Sequence, residues 1–125
     1  MTQTRKLLAA TDFSAPARHA LERAARLAQA HPAASLTFAH VVSRSALDTL
    51  RRMLPGDAAQ LEAQLLSQAD TNLNELASGL AAHPAGHIDT ALVQGSAHAA
   101  LIDLVETRQI DLLVMGARGT HFMVE

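Results

Sequence analysis

The chain has 125 residues, of which 49% are hydrophobic, 18% charged and 2% aromatic, and its formal net charge is −2. This length and apolar fraction predict one globular domain over residues 1–125 and argue against intrinsic disorder. The charge balance argues against a general nucleic-acid or anionic-membrane binder, which needs a basic excess. With no cysteine, a disulfide framework, a thiol nucleophile, a zinc ribbon and an iron–sulfur site are excluded.

No apolar run reaches the length of a transmembrane helix. The short apolar stretch that follows Lys6 ends at Asp12, too early for the core of a signal peptide. We therefore expect a cytoplasmic protein that binds neither membranes nor nucleic acids.

Short apolar runs alternate with longer amphipathic runs along the chain. The first strand is predicted at Leu7–Thr11. Ser14 is predicted to cap a helix over Ala15–Ala30, because a serine hydroxyl can accept a hydrogen bond from a first-turn N–H. A second strand is predicted at Ser35–Val42, followed by a short helix around Leu47–Leu54.

The second half of the chain repeats this alternation. From Asp57, leucine and alanine recur at steps of three or four residues, which predicts a long helix. The remaining predicted elements are a third strand at His87–Val93, a helix at Ala97–Arg108 capped by Ser96, and a fourth strand at Ile110–Met115.

This order of elements predicts an α/β fold, an open parallel sheet between two layers of helices. The fourth strand is nearly all apolar, which is typical of a strand covered on both faces, so we expect Leu112→Asp to unfold the protein. Such a strand needs a neighbour. The neighbour comes either from a partner subunit or from residues missing from this sequence, and we favour missing residues.

Ligands of such sheets bind beyond the carboxyl ends of the strands. Gly116, Arg118 and Gly119 form a turn that suits a phosphate, because glycine lets an anion approach the backbone and arginine adds charge; the alternative is a plain glycine-rich turn. Asp12 either bonds a ribose hydroxyl or holds magnesium beside phosphates, or it is a structural acid that bonds nearby N–H groups.

The sequence offers no catalytic or metal motif. His83 and His87 are four residues apart, but the proline and glycine between them break the helix that would align them, so we expect no metal site. His40 alternates with core positions and is predicted to be a buried residue with its hydrogen bonds satisfied. No Walker A loop, nucleophile elbow or dinucleotide fingerprint is present, and we expect the protein not to be an enzyme.

Four segments taken together closely resemble the universal stress protein family. The resemblance implies a Rossmann-like parallel sheet of the adenine nucleotide α-hydrolase-like type, with strand order 3-2-1-4-5 and strand 5 absent from this sequence. It also implies a small cytoplasmic homodimer. The segments are Leu7–Ser14, His40–Val42, Gln94–Gly95 and Asp111–Gly119.

The resemblance further implies binding of ATP, with or without magnesium. The acid that matches Asp12 contacts ribose or phosphate-side groups, and the residue that matches Val41 packs on adenine. The loop at Arg118 and Gly119 begins the triphosphate cradle. The nucleotide-binding residues implied in this way are Thr11, Asp12, Val41, Met115, Gly116, Arg118 and Gly119.

This sequence departs from the family in one respect. The family's motif is Gly-x-x-Gly, nine residues, then Gly-Ser or Gly-Thr, and its second half would fall beyond Glu125. Three hypotheses follow. The protein binds ATP and acts through a conformational or partner-binding change; it is a dimerisation or interaction module that binds no nucleotide; or it is an adenylating enzyme, for which Thr11–Ser14 lacks the Ser-Gly-Gly-type loop.

Overall fold

The computed structural model describes residues 5–31, 33–81 and 88–116. Within these ranges there are four strands and four helices, with one helix between successive strands except between β2 and β3, where there are two. The elements are β1 (Lys6–Ala10), α1 (Ala15–Ala30), β2 (Ser35–Ser43), α2 (Arg44–Met53), α3 (Ala58–Ala81), β3 (Ile88–Gly95), α4 (Ala97–Thr107) and β4 (Leu112–Val114).

The strands form one parallel sheet in the order β3-β2-β1-β4. β1 lies between β2 and β4, with Leu7 opposite Leu36 on one side and Leu112 on the other. The predicted α/β fold is therefore confirmed, together with the order of the first four strands that the resemblance implies.

Successive side chains of a strand point to opposite faces of a sheet, and this divides the core into two layers. Leu7 packs with Leu21 of α1 and Leu73 of α3 in one cluster, on what we call the α1/α3 face. Leu8 is fully buried and packs with Leu101 of α4 in a second cluster, on the α4 face. Helices therefore cover both faces of the sheet, as predicted.

Serine side chains mark three helix starts, with different outcomes. The predicted cap Ser14 is confirmed, since its Oγ accepts a hydrogen bond from the Ala17 N–H at 3.3 Å. Ser43 caps α2 in the same way through the Ala46 N–H at 3.3 Å, so this helix begins earlier than expected. Ser96 precedes α4 but its side chain makes no cap hydrogen bond, and the prediction for Ser96 was wrong in that respect.

The connection from α4 to β4 is a Schellman motif. The Ile110 N–H donates to the Val105 carbonyl at 2.9 Å and the Gln109 N–H to the Glu106 carbonyl at 3.3 Å. Gln109 takes the left-handed position with φ 54°, where glycine is usual. The predicted strand at Ile110–Met115 is consequently shorter in the structure.

β4 differs from the prediction in its burial as well. Val114 packs into the cluster on the α1/α3 face, whereas Leu112 is 47% exposed. The expectation that Leu112 is covered was wrong, because the apolar packing of α1 reaches Val114 but not Leu112. The start of the strand is fixed by polar contacts instead, since the Lys6 N–H donates to Asp111 Oδ2 at 2.7 Å and the Asp111 N–H to the Lys6 carbonyl at 2.8 Å.

None of the helices in the described ranges combines the length and the apolarity that crossing a membrane requires.

Candidate functional site

Half-buried apolar side chains meet at the carboxyl ends of all four strands. They belong to the α4-face cluster and come from neighbouring positions in the sheet order. β2 and β3 align Val41 directly opposite Val93. We call this set the strand-end patch, and its members are Ala10, Val41, Val93 and Met115.

The turn between β1 and α1, Thr11–Ser14, is held by its own side chains. The Thr11 Oγ1 accepts a hydrogen bond from the Phe13 N–H at 2.9 Å, and the Asp12 Oδ1 accepts one from the Ser14 N–H at 2.9 Å. Ser14 then caps α1. The three polar side chains of the turn therefore each satisfy a backbone donor near the helix start, a typical use of short polar side chains.

Thr11 is buried in this turn. Its N–H donates to the Ala39 carbonyl at 2.9 Å, which continues the pairing of β1 with β2. It lines a groove on the α1/α3 face, away from the patch that contains Val41 and Met115. The structure thus gives Thr11 a structural role, and a nucleotide contact by Thr11 stays a prediction.

Asp12 is exposed at the end of β1. Hydrogen bonding from the Ser14 side chain is the largest cause that lowers the pKa of Asp12 below its ordinary value of 3.8. Burial opposes this shift, while the Ser14 and Asp12 backbone groups and the nearby His40 lower the pKa further. Asp12 is therefore ionised at neutral pH. The hydroxyl and the N–H of Ser14 together occupy about two of the roughly four acceptor positions of a carboxylate, which leaves room for donors of a ligand.

His40 and Phe13 form a contact that sequence reasoning missed. The His40 Nδ1 lies 2.7 Å from the Thr11 carbonyl oxygen, and because a carbonyl only accepts, Nδ1 carries the proton. The His40 and Phe13 ring centroids are 4.4 Å apart at an interplanar angle of 41°. His40 is bonded as predicted but only half-buried. No local sequence pattern predicts this contact, since the two residues are 27 positions apart in the chain.

Gly116 is packed directly against the first turn of α1. A Cβ added to Gly116 would lie 3.1 Å from the Ala17 nitrogen and 3.1 Å from the Pro16 carbonyl carbon. Both neighbours are backbone atoms that cannot rotate away. Close approach between β4 and α1 therefore accounts for a glycine at this position, whether or not a phosphate also binds there. The predicted site residues Arg118 and Gly119 lie outside the described residues, as do His83 and His87.

Two openings flank α1, and each contains some of the predicted site residues, whereas Asp12 and Val41 line neither of them. The α1–α3 groove has a volume of about 620 Å³ and includes Thr11 and Phe13. The α1–β4 cleft has a volume of about 420 Å³ and includes Met115 and Gly116. Within the described ranges, no group of three or more His, Asp or Glu side chains is placed to hold a metal ion.

Comparison with known proteins agrees with this architecture. The model of the universal stress protein family matches residues 3–124. No curated protein sequence matches the chain significantly.

Solved structures with the same fold include the universal stress protein UspA from Lactobacillus plantarum, with 26% identity and a TM-score of 0.77 over 97% of this chain and 82% of that one. The hypothetical protein MJ0577 superposes with a TM-score of 0.77 at 20% identity, over 95% of this chain and 78% of that one. A universal stress protein in complex with cAMP superposes with a TM-score of 0.57 at 22% identity, over 90% and 71% of the respective chains. At 20% and 22% identity, the last two similarities show the fold alone.

Proposed function

The chain belongs to the universal stress protein family, and from this premise we propose that it binds ATP or a related adenine nucleotide at the carboxyl ends of β1, β2 and β4. We propose further that the bound nucleotide shifts the protein between two states that differ in conformation or in affinity for a partner. A ligand can do this only if it binds the two states differently.

The observation that carries the proposal is the combination of an apolar patch and an ionised acid at one edge of the sheet. Ala10, Val41 and Met115 are half-buried there and offer an apolar surface of the kind that a planar base covers. Asp12 follows Ala10 by two residues and carries a charge at neutral pH. A carboxylate that accepts hydrogen bonds from ribose hydroxyls fits this position.

The complex of a family member with cAMP also supports an adenine nucleotide as the ligand class. Magnesium, in this proposal, arrives with the nucleotide's phosphates. We propose that the protein is not an enzyme, since its sequence contains neither a Walker A loop nor a nucleophile elbow, and that it acts in the cytoplasm as a homodimer.

Isothermal titration calorimetry with Mg·ATP tests the proposal, with AMP and cAMP as further ligands and GTP as the specificity control. We expect saturable binding of the adenine nucleotides in the micromolar range and weaker binding of GTP. If none of the adenine nucleotides binds to the folded protein, the proposed function is refuted.

The Asp12→Ala variant locates the site. A hydrogen bond to a charged group contributes about 1.5–3 kcal/mol, so we expect ATP affinity to fall by about tenfold to a hundredfold. The matched control is Asp103→Ala, which removes an exposed acid from α4 and is expected to leave the affinity unchanged. Equal affinities for the two variants would place the nucleotide elsewhere.

A second candidate function is that of an interaction module without nucleotide. The exposure of Leu112 on β4 favours it, because an apolar side chain at a sheet edge invites a further strand or a partner. Sedimentation equilibrium would show self-association that Leu112→Lys abolishes. Self-association combined with a complete lack of nucleotide binding would favour this function over the first.

A further inference from the structure

The Thr11–Ser14 turn contains an unfavourable backbone conformation. Phe13 has φ 66°, in the left-handed region, which costs an L-residue with a Cβ free energy relative to the right-handed one. The Phe13 side chain is 37% exposed, so burial of its ring compensates only in part. Contacts from outside the turn must therefore help to hold its shape.

His40 supplies those contacts from β2. The carbonyl that receives its Nδ1–H at 2.7 Å belongs to the peptide bond between Thr11 and Asp12. Its ring lies against Phe13, the residue that follows Asp12. The two contacts thus fix the peptide plane before Asp12 and the side chain after it, and they restrain the backbone from which the Asp12 carboxylate projects.

We infer that His40 is a positioning residue of the proposed nucleotide site, which holds the Thr11–Ser14 turn so that Asp12 is presented to the ligand. The inference rests on the proposed function. His40 does not contact the nucleotide in this arrangement and acts through Asp12. Both the neutral ring protonated at Nδ1 and the imidazolium donate from Nδ1, so the contact with the Thr11 carbonyl does not depend on the protonation of His40.

Two substitutions separate positioning from general stability. His40→Phe keeps a ring beside Phe13 but removes the donor to the Thr11 carbonyl. His40→Asn removes the ring but keeps an amide N–H close to the place of Nδ1. Calorimetric titration with Mg·ATP and thermal unfolding are measured for both variants, alone and combined with Asp12→Ala.

We expect His40→Phe to weaken ATP binding by about five- to tenfold, the effect of one lost hydrogen bond. We expect His40→Asn to bind within about threefold of the wild type. Because His40 acts through Asp12, His40→Phe should have no further effect on affinity in the Asp12→Ala background, where the oriented carboxylate is already gone.

Two results would overturn the inference. One is a lowered melting temperature for His40→Phe with wild-type affinity, which would make His40 purely structural. The other is additive losses of affinity in the double variant, which would mean that His40 acts independently of Asp12. If His40→Phe does not fold, Phe13→Gly replaces it, because glycine adopts φ 66° freely but lacks the ring. The same loss of affinity, again absent in the Asp12→Ala background, is then expected.

The NMR titration of the Asp12 carboxyl group needs no nucleotide and keeps the two proposals distinguishable. If His40 holds the turn, the lowered pKa of Asp12 should return toward its ordinary value in His40→Phe more than in His40→Asn, while both variants lack the histidine charge. An unchanged pKa in His40→Phe would refute positioning even if ATP binds. If the wild type binds no nucleotide but the pKa responds in this way, the proposed function fails while the restraint on the turn stands.

Discussion

Two segments border the proposed site, and they are held in place by different means. The Thr11–Ser14 turn is fixed by hydrogen bonds from its own side chains and by His40. The second segment, Leu112–Gly116, which we call the β4 arm, pairs with β1 over only three residues. It is also held by the packing of Val114 and Met115 against the two core clusters and by the close approach of Gly116 to α1.

This difference separates two ways of preparing a binding site. Each hydrogen bond of the turn contributes about 1 kcal/mol and several act on the same four residues, so the turn is ordered before any ligand arrives. The β4 arm depends on contacts with distant parts of the chain, and its exposed Leu112 contributes little to the core. We expect the arm to respond more than the turn when its long-range contacts are disturbed.

We expect the largest effect when the same charge is placed in β1, which leads into the turn, and in β4, and the two losses of stability are compared. Leu8→Asp places an unpaired charge at a side chain that is 0% exposed, and we expect a loss of more than about 4 kcal/mol of stability. The matched variant Leu112→Asp places the same charge where 47% of the side chain is already exposed, and we expect a loss of about 1 kcal/mol or less. Urea unfolding measures both.

The comparison fails if Leu112→Asp is as destabilising as Leu8→Asp. That result would mean that the β4 arm is covered in solution, for instance by a second copy of the chain. Sedimentation equilibrium of the wild type would then show an assembly larger than the monomer.

A smaller effect is expected for the packing of the β4 arm against α1. Gly116→Ala brings a Cβ to 3.1 Å from two backbone atoms, and overpacking of this kind costs about 1–3 kcal/mol. The matched control is Gly79→Ala in α3, where a Cβ meets nothing within 4 Å. There the substitution should add about 0.5–1 kcal/mol of stability, because alanine favours a helix interior over glycine. Thermal unfolding shows whether each variant gains or loses stability. A gain of stability for Gly116→Ala would show that the β4 arm can shift away from α1 at little cost.

A third comparison isolates the local hydrogen bonds of the turn. Ser14→Ala removes the acceptor of the Ala17 N–H and should cost about 1 kcal/mol. Ser96→Ala changes the residue before α4, where the side chain makes no cap hydrogen bond, and should cost less than about 0.5 kcal/mol. Equal losses in thermal unfolding would mean that capping does not explain the order of the turn.

The same contrast explains what the sequence could predict. Ser14 was recognisable because its role depends on the following three residues, and the α/β order was readable from alternating apolar and amphipathic runs. The contact of His40 with the turn and the reason for Gly116 could not be read in this way. Both depend on which distant segments the fold brings together. No local pattern predicts that a Cβ at Gly116 would lie 3.1 Å from the backbone of α1, or that the rings of His40 and Phe13 have centroids 4.4 Å apart.

Burial of the edge strand was mispredicted for a related reason. An apolar run such as Ile110–Met115 looks alike whether or not helices cover it. The start of the run is set by hydrogen bonds to residues outside it, namely the bond from Ile110 to Val105 in the Schellman motif and the bonds between Asp111 and Lys6. Among the site residues, Val41 and Met115 pack against the same α4-face cluster, whereas Thr11 lines the groove on the α1/α3 face.

The smallest expected effect concerns the charge within the turn. The folded protein lowers the pKa of Asp12 below 3.8, so the ionised carboxylate stabilises the fold at pH values above the unfolded pKa, and this contribution is lost as the pH falls through the folded pKa. Asp12→Asn keeps a side-chain acceptor but removes the charge. At pH 7 we expect Asp12→Asn to be less stable than the wild type by under about 1 kcal/mol, since the group is exposed and screened. The two stabilities should converge as the pH falls below 3.8. Chemical unfolding at a series of pH values measures the difference in stability between the two proteins. A difference that stays constant down to the lowest pH would show that the hydrogen bonds of Ser14 do not depend on the charge of Asp12.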